Sequence, residues 1–359
     1  PTSTTTTSAA DAPLTPTMIR IHTDFNLTPL TTFGLPAGCG RFIEFENADD
    51  LRQLHRQGEL DGALPIGGGS NLLFTRPFFN GTVIHCTADR PTFTPADPDT
   101  VLCHAPAGVT LDRLCAQTCE MGLWGLENLS GIPGEIAGAS VQNVGAYGTE
   151  FTDVVVEVET FDTLTGTTRT FTREECRYGY RDSAFKHSPL AGHTIVLGAT
   201  IALSRTPRPR LNYAGLASRV NDIPMEQLTP SLLRREVLAL RDSKLPDPAE
   251  TGSAGSFFKN PVISGADYDS LRSRLNIDLP GHVLNSGDVK LSAAWLIDHA
   301  GCKQLTCGGA ALWPSQPLVL VNATGKATGA DVTGLENLVI RQVHEKFGIR
   351  LSAEVVHIG

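Results

Sequence analysis

Apolar positions along the chain change period several times, and each change marks a predicted element. Residues 41–45 and 64–66 are apolar over strand lengths, and residues 49–57 between them carry helical spacing that stops at Gly58. This predicts a first α/β unit. A second begins with a strand near residues 100–104 and a helix over 111–121, where Leu111, Leu114, Cys115 and Cys119 share one face. Val154, Val156 and Val158 alternate, residues 163–166 supply a turn and a Thr-rich return follows, so a β-hairpin is expected between residues 153 and 171. Another strand is expected at 194–203. The best-marked helix opens on a capping signature, Thr328 and Asp331. It presents Val332, Leu335, Leu338, Val339, Val343 and Phe347 on one face and stops at Gly348. A last strand is expected to follow at once, with Leu351, Ala353 and Val355 on one side and Arg350, Ser352 and Glu354 on the other.

At 359 residues the chain exceeds what one core organises, and Pro, Asp and Gly become frequent from about residue 246. The expected division is a disordered leader over 1–18, a first subdomain over 19–90 joined by a C-terminal strand at 349–359, a second over 91–245, and a third domain over 246–348. The leader is rich in Thr, Ser, Ala and Pro without a basic segment before an apolar one, so a secretion signal is not expected. No apolar run is long enough to span a bilayer. A net charge of −9 gives no footprint for a nucleic-acid backbone. Eight scattered cysteines, without C-x-x-C pairs or zinc-type Cys/His spacing, suit buried thiols in a reducing compartment and predict no metal site. A cytoplasmic monomer is the expectation.

Two glycine-rich segments carry the first chemical signal. Leu64-Pro-Ile-Gly-Gly-Gly-Ser-Asn-Leu-Leu73 places three glycines between apolar flanks, so successive backbone N–H groups can converge on an anion. It lacks the Gly-Lys-Ser/Thr of a Walker loop and the spacing of a Rossmann turn, and a plain tight turn explains it equally well. The second segment, Leu126-Glu-Asn-Leu-Ser-Gly-Ile-Pro-Gly-Glu-Ile-Ala-Gly-Ala-Ser-Val-Gln-Asn-Val-Gly-Ala-Tyr-Gly148, repeats glycine through apolar and small residues. Two such loops in separate units suit a long dinucleotide such as FAD.

With these loops, Thr32-Phe-Gly-Leu-Pro-Ala37, Tyr180-Arg-Asp-Ser183, Lys244-Leu-Pro-Asp-Pro248, Gly255-Ser-Phe-Phe-Lys-Asn-Pro261, Ala294-Trp-Leu-Ile-Asp298 and the terminal Glu354, the sequence closely resembles the UDP-N-acetylenolpyruvoylglucosamine reductase family. The resemblance runs from Phe25 to Gly359. It implies an α+β architecture: a two-domain FAD-binding fold of the vanillyl-alcohol-oxidase type and a C-terminal α/β domain that closes over a UDP-sugar. The implied activity is NADPH-dependent reduction of UDP-N-acetylglucosamine enolpyruvate to UDP-N-acetylmuramate through non-covalent FAD, in peptidoglycan precursor synthesis for the cell wall.

The resemblance also implies site roles. Ser256 matches the proton donor, with Arg181 and Glu354 supporting charge that develops on the substrate. FAD contacts are expected from Ile66, Gly67, Gly68, Gly69, Ser70 and Asn71, and from Gly131, Pro133, Gly138, Ala139, Gly145, Ala146 and Tyr147. Substrate contacts are expected from Tyr180, Lys244, Asn260 and Gln142, and from Tyr213, which resembles the mobile-loop tyrosine of one subtype. A carboxylate near a substrate carboxylate is either protonated by burial or acts through a donor such as Arg181, and both alternatives stand for Glu354. On the residues alone, Arg181 pairs equally well with Asp182, and Glu354 is an ordinary strand residue. Thr31 stands where the family commonly has asparagine, and His299, another expected substrate contact, where it has glutamine. The rival readings are an FAD oxidoreductase acting on alcohols or hydroxy acids, which often tethers flavin through histidine, and a non-catalytic nucleotide-binding module. Neither glycine loop contains a histidine.

Overall fold

The structure, a computed structural model, describes residues 18–359; the leader expected before residue 18 lies outside the described residues. Strand Arg20–Asn26 runs antiparallel to Gly38–Phe45, which lies parallel to Phe79–Cys86, and the short strand Leu64–Ile66 completes this sheet in parallel. Asn47 starts the helix Ala48–Arg56 by accepting from the N–H groups of Asp49 and Asp50 at 2.9 and 3.1 Å. Leu51 and Leu54 on its inner face pack among Ile43, Phe45 and Ile84.

A second, five-stranded antiparallel sheet has the order Thr167–Thr172, Val155–Asp162, Thr194–Ser204, Thr100–Pro106, Thr92–Pro95. The expected hairpin is its edge. Asp162 pairs with Thr167, and its carboxylate accepts from the N–H groups of Leu164 and Thr165, which closes the turn. Helix Leu111–Glu120 buries Leu111, Leu114, Cys115 and Cys119, so both cysteines are core residues. The other cysteines are also buried except Cys307, which is partly exposed. Helices Ala214–Val220 and Pro230–Asp242 are among those the sequence pattern did not predict. The second begins at Thr229, whose hydroxyl accepts from Leu232 N–H at 3.1 Å, and buries Leu233, Val237 and Leu240 with Trp124 and Leu216.

The C-terminal region holds a four-stranded antiparallel sheet, Ser253–Ser256, Gln316–Asn322, Ala310–Trp313, Thr306–Cys307, and a three-stranded one, Val262–Ile263, Val289–Leu291, Gly281–Val283. Helix Gly329–Phe347 covers the former with buried Val332, Leu335, Val339, Val343 and Phe347. Its capping box is complete, with Thr328 accepting from Asp331 N–H and Asp331 from Thr328 N–H, and Gly348 ends it at φ 74°.

The chain end corrects one expectation. Residues 350–355 form no regular strand; only Val356–Ile358 does, parallel to Leu72–Phe74 just beyond the first glycine loop. The tail changes partners here, since Ala353 bridges to Phe258 and three residues later the chain joins a different sheet. The alternation survives this bend, with Leu351 and Val355 buried and Arg350 and Ser352 exposed, but Glu354 turns inward and its side chain is 16% exposed. Among the described residues no helix is long and apolar enough to cross a membrane.

Candidate active site

The two glycine segments, 63 positions apart at Ser70 and Pro133, lie face to face. Ser70 Oγ donates to the Pro133 carbonyl at 3.0 Å, and a Cβ on Gly68 would stand 3.0 Å from Gly134 Cα. Gly69 has φ 58°, and a Cβ there would fall 1.8 Å from the Leu30 carbonyl oxygen, so only glycine fits. Thr32 Oγ1 donates to the Ser70 carbonyl at 3.4 Å, and Thr31 Oγ1 to the Thr28 carbonyl at 3.1 Å, which gives both threonines local partners.

None of the backbone N–H groups of residues 67–71 has a hydrogen-bond partner among the described residues, although Gly69 is buried and its neighbours partly so. Nearly all buried backbone groups in proteins are paired, so an unpaired run that includes the buried Gly69 suits an acceptor from outside the chain. The Gly138 N–H across the cleft is likewise unpaired among the described residues, and a Cβ on Gly138 would meet nothing within 4 Å. The donor set therefore fits the diphosphate of FAD. The second segment is more ordered than a glycine loop suggests. It contains helix Ile136–Gln142 and a small ribbon formed by Gly145–Ala146 and Thr149–Glu150. Ile66 and Ala139 are buried, Gly131, Pro133, Gly145 and Ala146 partly exposed, and Tyr147 sits at φ 51° with its carbonyl held by Asn128 Nδ2 at 2.8 Å.

Ser256 ends strand Ser253–Ser256. Gly255 before it has φ 68° and the sheet register shifts there, while Phe257 and Phe258 after it are buried, each contributing about 2–3 kcal/mol of apolar burial. The two rings pin the strand end and leave Ser256 exposed, its hydroxyl without a partner among the described residues. Backbone bonds of 2.8 Å from Glu354 N–H to the Phe257 carbonyl and 2.9 Å from Lys259 N–H to the Ser352 carbonyl lay the chain end alongside.

Arg181 reaches the same place from a tight turn in which Gly179 and Asp182 exchange backbone hydrogen bonds, and it has φ 53°. Its Nε donates to Glu354 Oε1 at 2.8 Å and its Nη2 to the Gly145 carbonyl, which leaves three guanidinium N–H groups. Asp182 pairs with His187 at 2.8 Å instead of with Arg181. Burial pushes the Glu354 carboxyl above the ordinary range, and the Arg181, Lys186 and Lys259 cations oppose that rise. Tyr180 lies 5.3 Å from the Arg181 guanidinium and 4.9 Å from Lys290 Nζ, ring centroid to cation.

Lys244 Nζ meets Tyr213 OH at 3.2 Å, and Tyr213 stands edge-on to Tyr147 at 5.2 Å, so two expected substrate contacts adjoin an expected FAD contact. Asn260 Oδ1 accepts from Ala293 N–H at the start of helix Ala293–His299, leaving its NH2 group. His299 stacks on Trp295 at 3.7 Å, with Nδ1 against the Trp295 carbonyl at 2.9 Å. Gln142 Oε1 accepts from Lys186. The sequence reading passed over Lys186, Lys259 and Lys290. Lys259 lay within Gly255-Ser-Phe-Phe-Lys-Asn260, so its motif pointed to it, while nothing local marked the other two.

Residues 41–172 match a model described as an FAD binding domain, and residues 247–358 one described as the C-terminal domain of UDP-N-acetylenolpyruvoylglucosamine reductase. Curated relatives bearing that enzyme's name include one from Chromobacterium violaceum, 39% identical over 94% of this chain and 98% of the relative. Another, from Bacteroides fragilis, is 36% identical over 92% and 98% respectively. A crystal structure of the Thermus caldophilus reductase shares the fold, with a TM-score of 0.65 at 24% identity over 96% of this chain and all of that one. With identity of this level sustained over nearly the whole length and both domain models in sequence order, the chain belongs to the UDP-N-acetylenolpyruvoylglucosamine reductase family.

Proposed function

We propose that this chain reduces UDP-N-acetylglucosamine enolpyruvate with NADPH as the electron source, Ser256 as proton donor, and Arg181 with Glu354 as the charge-supporting pair. The observation that carries this reading is the convergence of the strand end at exposed Ser256, whose hydroxyl has no partner among the described residues, with an inward-facing Arg181–Glu354 pair drawn from distant segments. Residues 19–90 with 349–359, and 91–245, hold FAD in this reading, and residues 246–348 cover the UDP-sugar; the enzyme works as a cytoplasmic monomer.

FAD, when bound, supplies hydride to the terminal carbon of the enolpyruvyl double bond. Negative charge then develops on the adjacent carbon and its carboxylate. The three N–H groups left on Arg181 grip that carboxylate and strengthen their hold as enolate character grows. Glu354 holds the guanidinium through Nε, which supports the reading that the carboxylate serves an anionic substrate through Arg181. The Ser256 hydroxyl gives its proton to the carbanionic carbon and regains one from solvent. A weak acid suffices because the acceptor is strongly basic. Tyr213 and Lys244 bind the UDP diphosphate side.

Anaerobic half-reactions test this. FAD-loaded protein should bleach with NADPH and regain its colour with UDP-N-acetylglucosamine enolpyruvate. Bleaching without recovery would remove the substrate assignment, and recovery at an undiminished rate in Ser256→Ala would remove the serine.

A further inference from the structure

Lys186 closes the short turn Ala184–Lys186 and is partly buried. Its ammonium donates to Gln142 Oε1 and, at 2.8 Å, to the Arg181 carbonyl. An ammonium has three donors and no acceptor, so two of the three are committed to residues of the proposed site. Both partners need holding. Arg181 occupies a left-handed conformation that an arginine rarely adopts; the Gly179–Asp182 bonds, Asn143 Nδ2 on the Gly179 carbonyl and Ser183 Oγ on the Val141 carbonyl tie the turn on either side, and the Lys186 ammonium is the donor on the Arg181 carbonyl itself. Gln142 is the last residue of its helix and is followed by Asn143 at φ 45°, so nothing in the backbone fixes its amide. An ammonium can donate only to the carbonyl oxygen of that amide, which turns the NH2 donors the other way.

We propose that Lys186 is a positioning residue for the reduction: its ammonium clamps the Arg181 turn and the Gln142 amide so that both present N–H donors to the substrate carboxylate. The role rests on the reading of Ser256, Arg181 and Glu354 given above. Arg181 and Asp182 face Lys186 from the turn, Lys259 from the segment after Ser256, Glu354 from the chain end, and Gln142 from its helix; His187 is held on Asp182. Burial, with Lys259 and Arg181 adding repulsion, pushes the Lys186 ammonium down to about 8 against the pull of Asp182 and Glu354. The clamp is therefore fully charged below that pH and weakens as pH rises through it.

The test uses the full-length, FAD-loaded chain and its Lys186→Met, Lys186→Arg and Arg181→Met variants. Reduced protein is mixed rapidly with UDP-N-acetylglucosamine enolpyruvate from about pH 6 to about pH 10, and oxidised protein separately with NADPH. Lys186→Met should slow colour recovery by about 10–100-fold and abolish the basic limb near pH 8, while reduction by NADPH stays within about threefold. Lys186→Arg should restore recovery to within about tenfold and carry the limb well above pH 9, because a guanidinium does not titrate there. If Lys186→Met keeps both the limb and the recovery rate, the proposal falls. If Lys186→Met does not fold, an unmoved limb in Lys186→Arg has the same force. Arg181→Met separates the layers: unchanged recovery there removes the underlying site reading, whereas slow recovery there with normal Lys186→Met removes only the lysine's role.

Discussion

Five consecutive residues supply the N–H groups of the loop at 67–71 that have no partner among the described residues, whereas the cluster around Arg181 draws on a turn, a strand end and the C-terminal segment, with Glu354 173 positions after Arg181. The loop works through its backbone, and its side chains matter mainly by being absent: Gly69 is fixed by a positive φ and the Leu30 carbonyl, Gly68 by the opposing Gly134. The cluster works through side chains whose meeting depends on docking between regions. Strand Val356–Ile358 pairs with Leu72–Phe74 at one end of the tail, Ala353 bridges to Phe258 at the other, and Glu354 lies between these two anchors. In the proposed reading a local motif thus holds the cofactor, and long-range packing assembles the side chains beside it.

Substitutions can separate the two. The largest effect is expected for Ser256→Ala, which should slow colour recovery by the enolpyruvyl sugar about 10²–10⁴-fold and leave FAD affinity and NADPH reduction nearly unchanged, as followed by stopped-flow absorbance. Gly69→Ala should do the reverse. A methyl group 1.8 Å from the Leu30 carbonyl oxygen forces the loop to move, so FAD binding should weaken by about 100-fold in an absorbance titration, and FAD should no longer raise the melting temperature. Unaltered FAD affinity would mean that the loop is not the diphosphate cradle.

Smaller effects sharpen the comparison within the substrate side. Tyr213→Phe removes the hydroxyl that meets Lys244 and should raise KM about 3–10-fold with kcat within about twofold in steady-state assays. The smallest expected effect concerns the docking of the chain end. His357 Nε2 lies 2.7 Å from Glu336 Oε2, and that hydrogen bond raises the imidazole above its ordinary value of 6.5. A raised folded-state value means stability that is fully present below about pH 6.5 and lost as pH climbs through the raised value. His357→Gln should therefore lower the melting temperature by about 2 °C near pH 6 and by less near pH 8.5.

Several elements, the glycine loop among them, were legible in the sequence. The strand Leu64–Ile66, the glycine turn after it, the hairpin and the Thr328-capped helix all announce themselves through local period, caps and turn residues. Helices Ala214–Val220 and Pro230–Asp242 are not among the expected elements, although Thr229-Pro230 is a start signal and Leu233, Val237 and Leu240 recur at helical spacing with Arg234, Arg235 and Arg241 off that face. The second glycine segment read as a loop yet contains a helix, since glycine lowers helix propensity but does not forbid a seven-residue helix packed on a sheet. At the chain end the alternation correctly separated Leu351 and Val355 from Ser352, and it assigned Glu354 to the wrong environment because period two says nothing about a bend.

By itself the sequence determined the elements, the two glycine-bearing segments and, through the order of its motifs, the family. Those features rest on interactions within a few residues: caps, turns, side-chain period and the absence of Cβ atoms. Only the tertiary structure decided that the glycine segments face each other, that Arg181 pairs with Glu354 and leaves Asp182 to His187, and that Lys186 reaches both Gln142 and the Arg181 carbonyl. The reason is physical. A charged side chain chooses its partner by the distance and burial that packing leaves it, and neither is a property of its place in the chain.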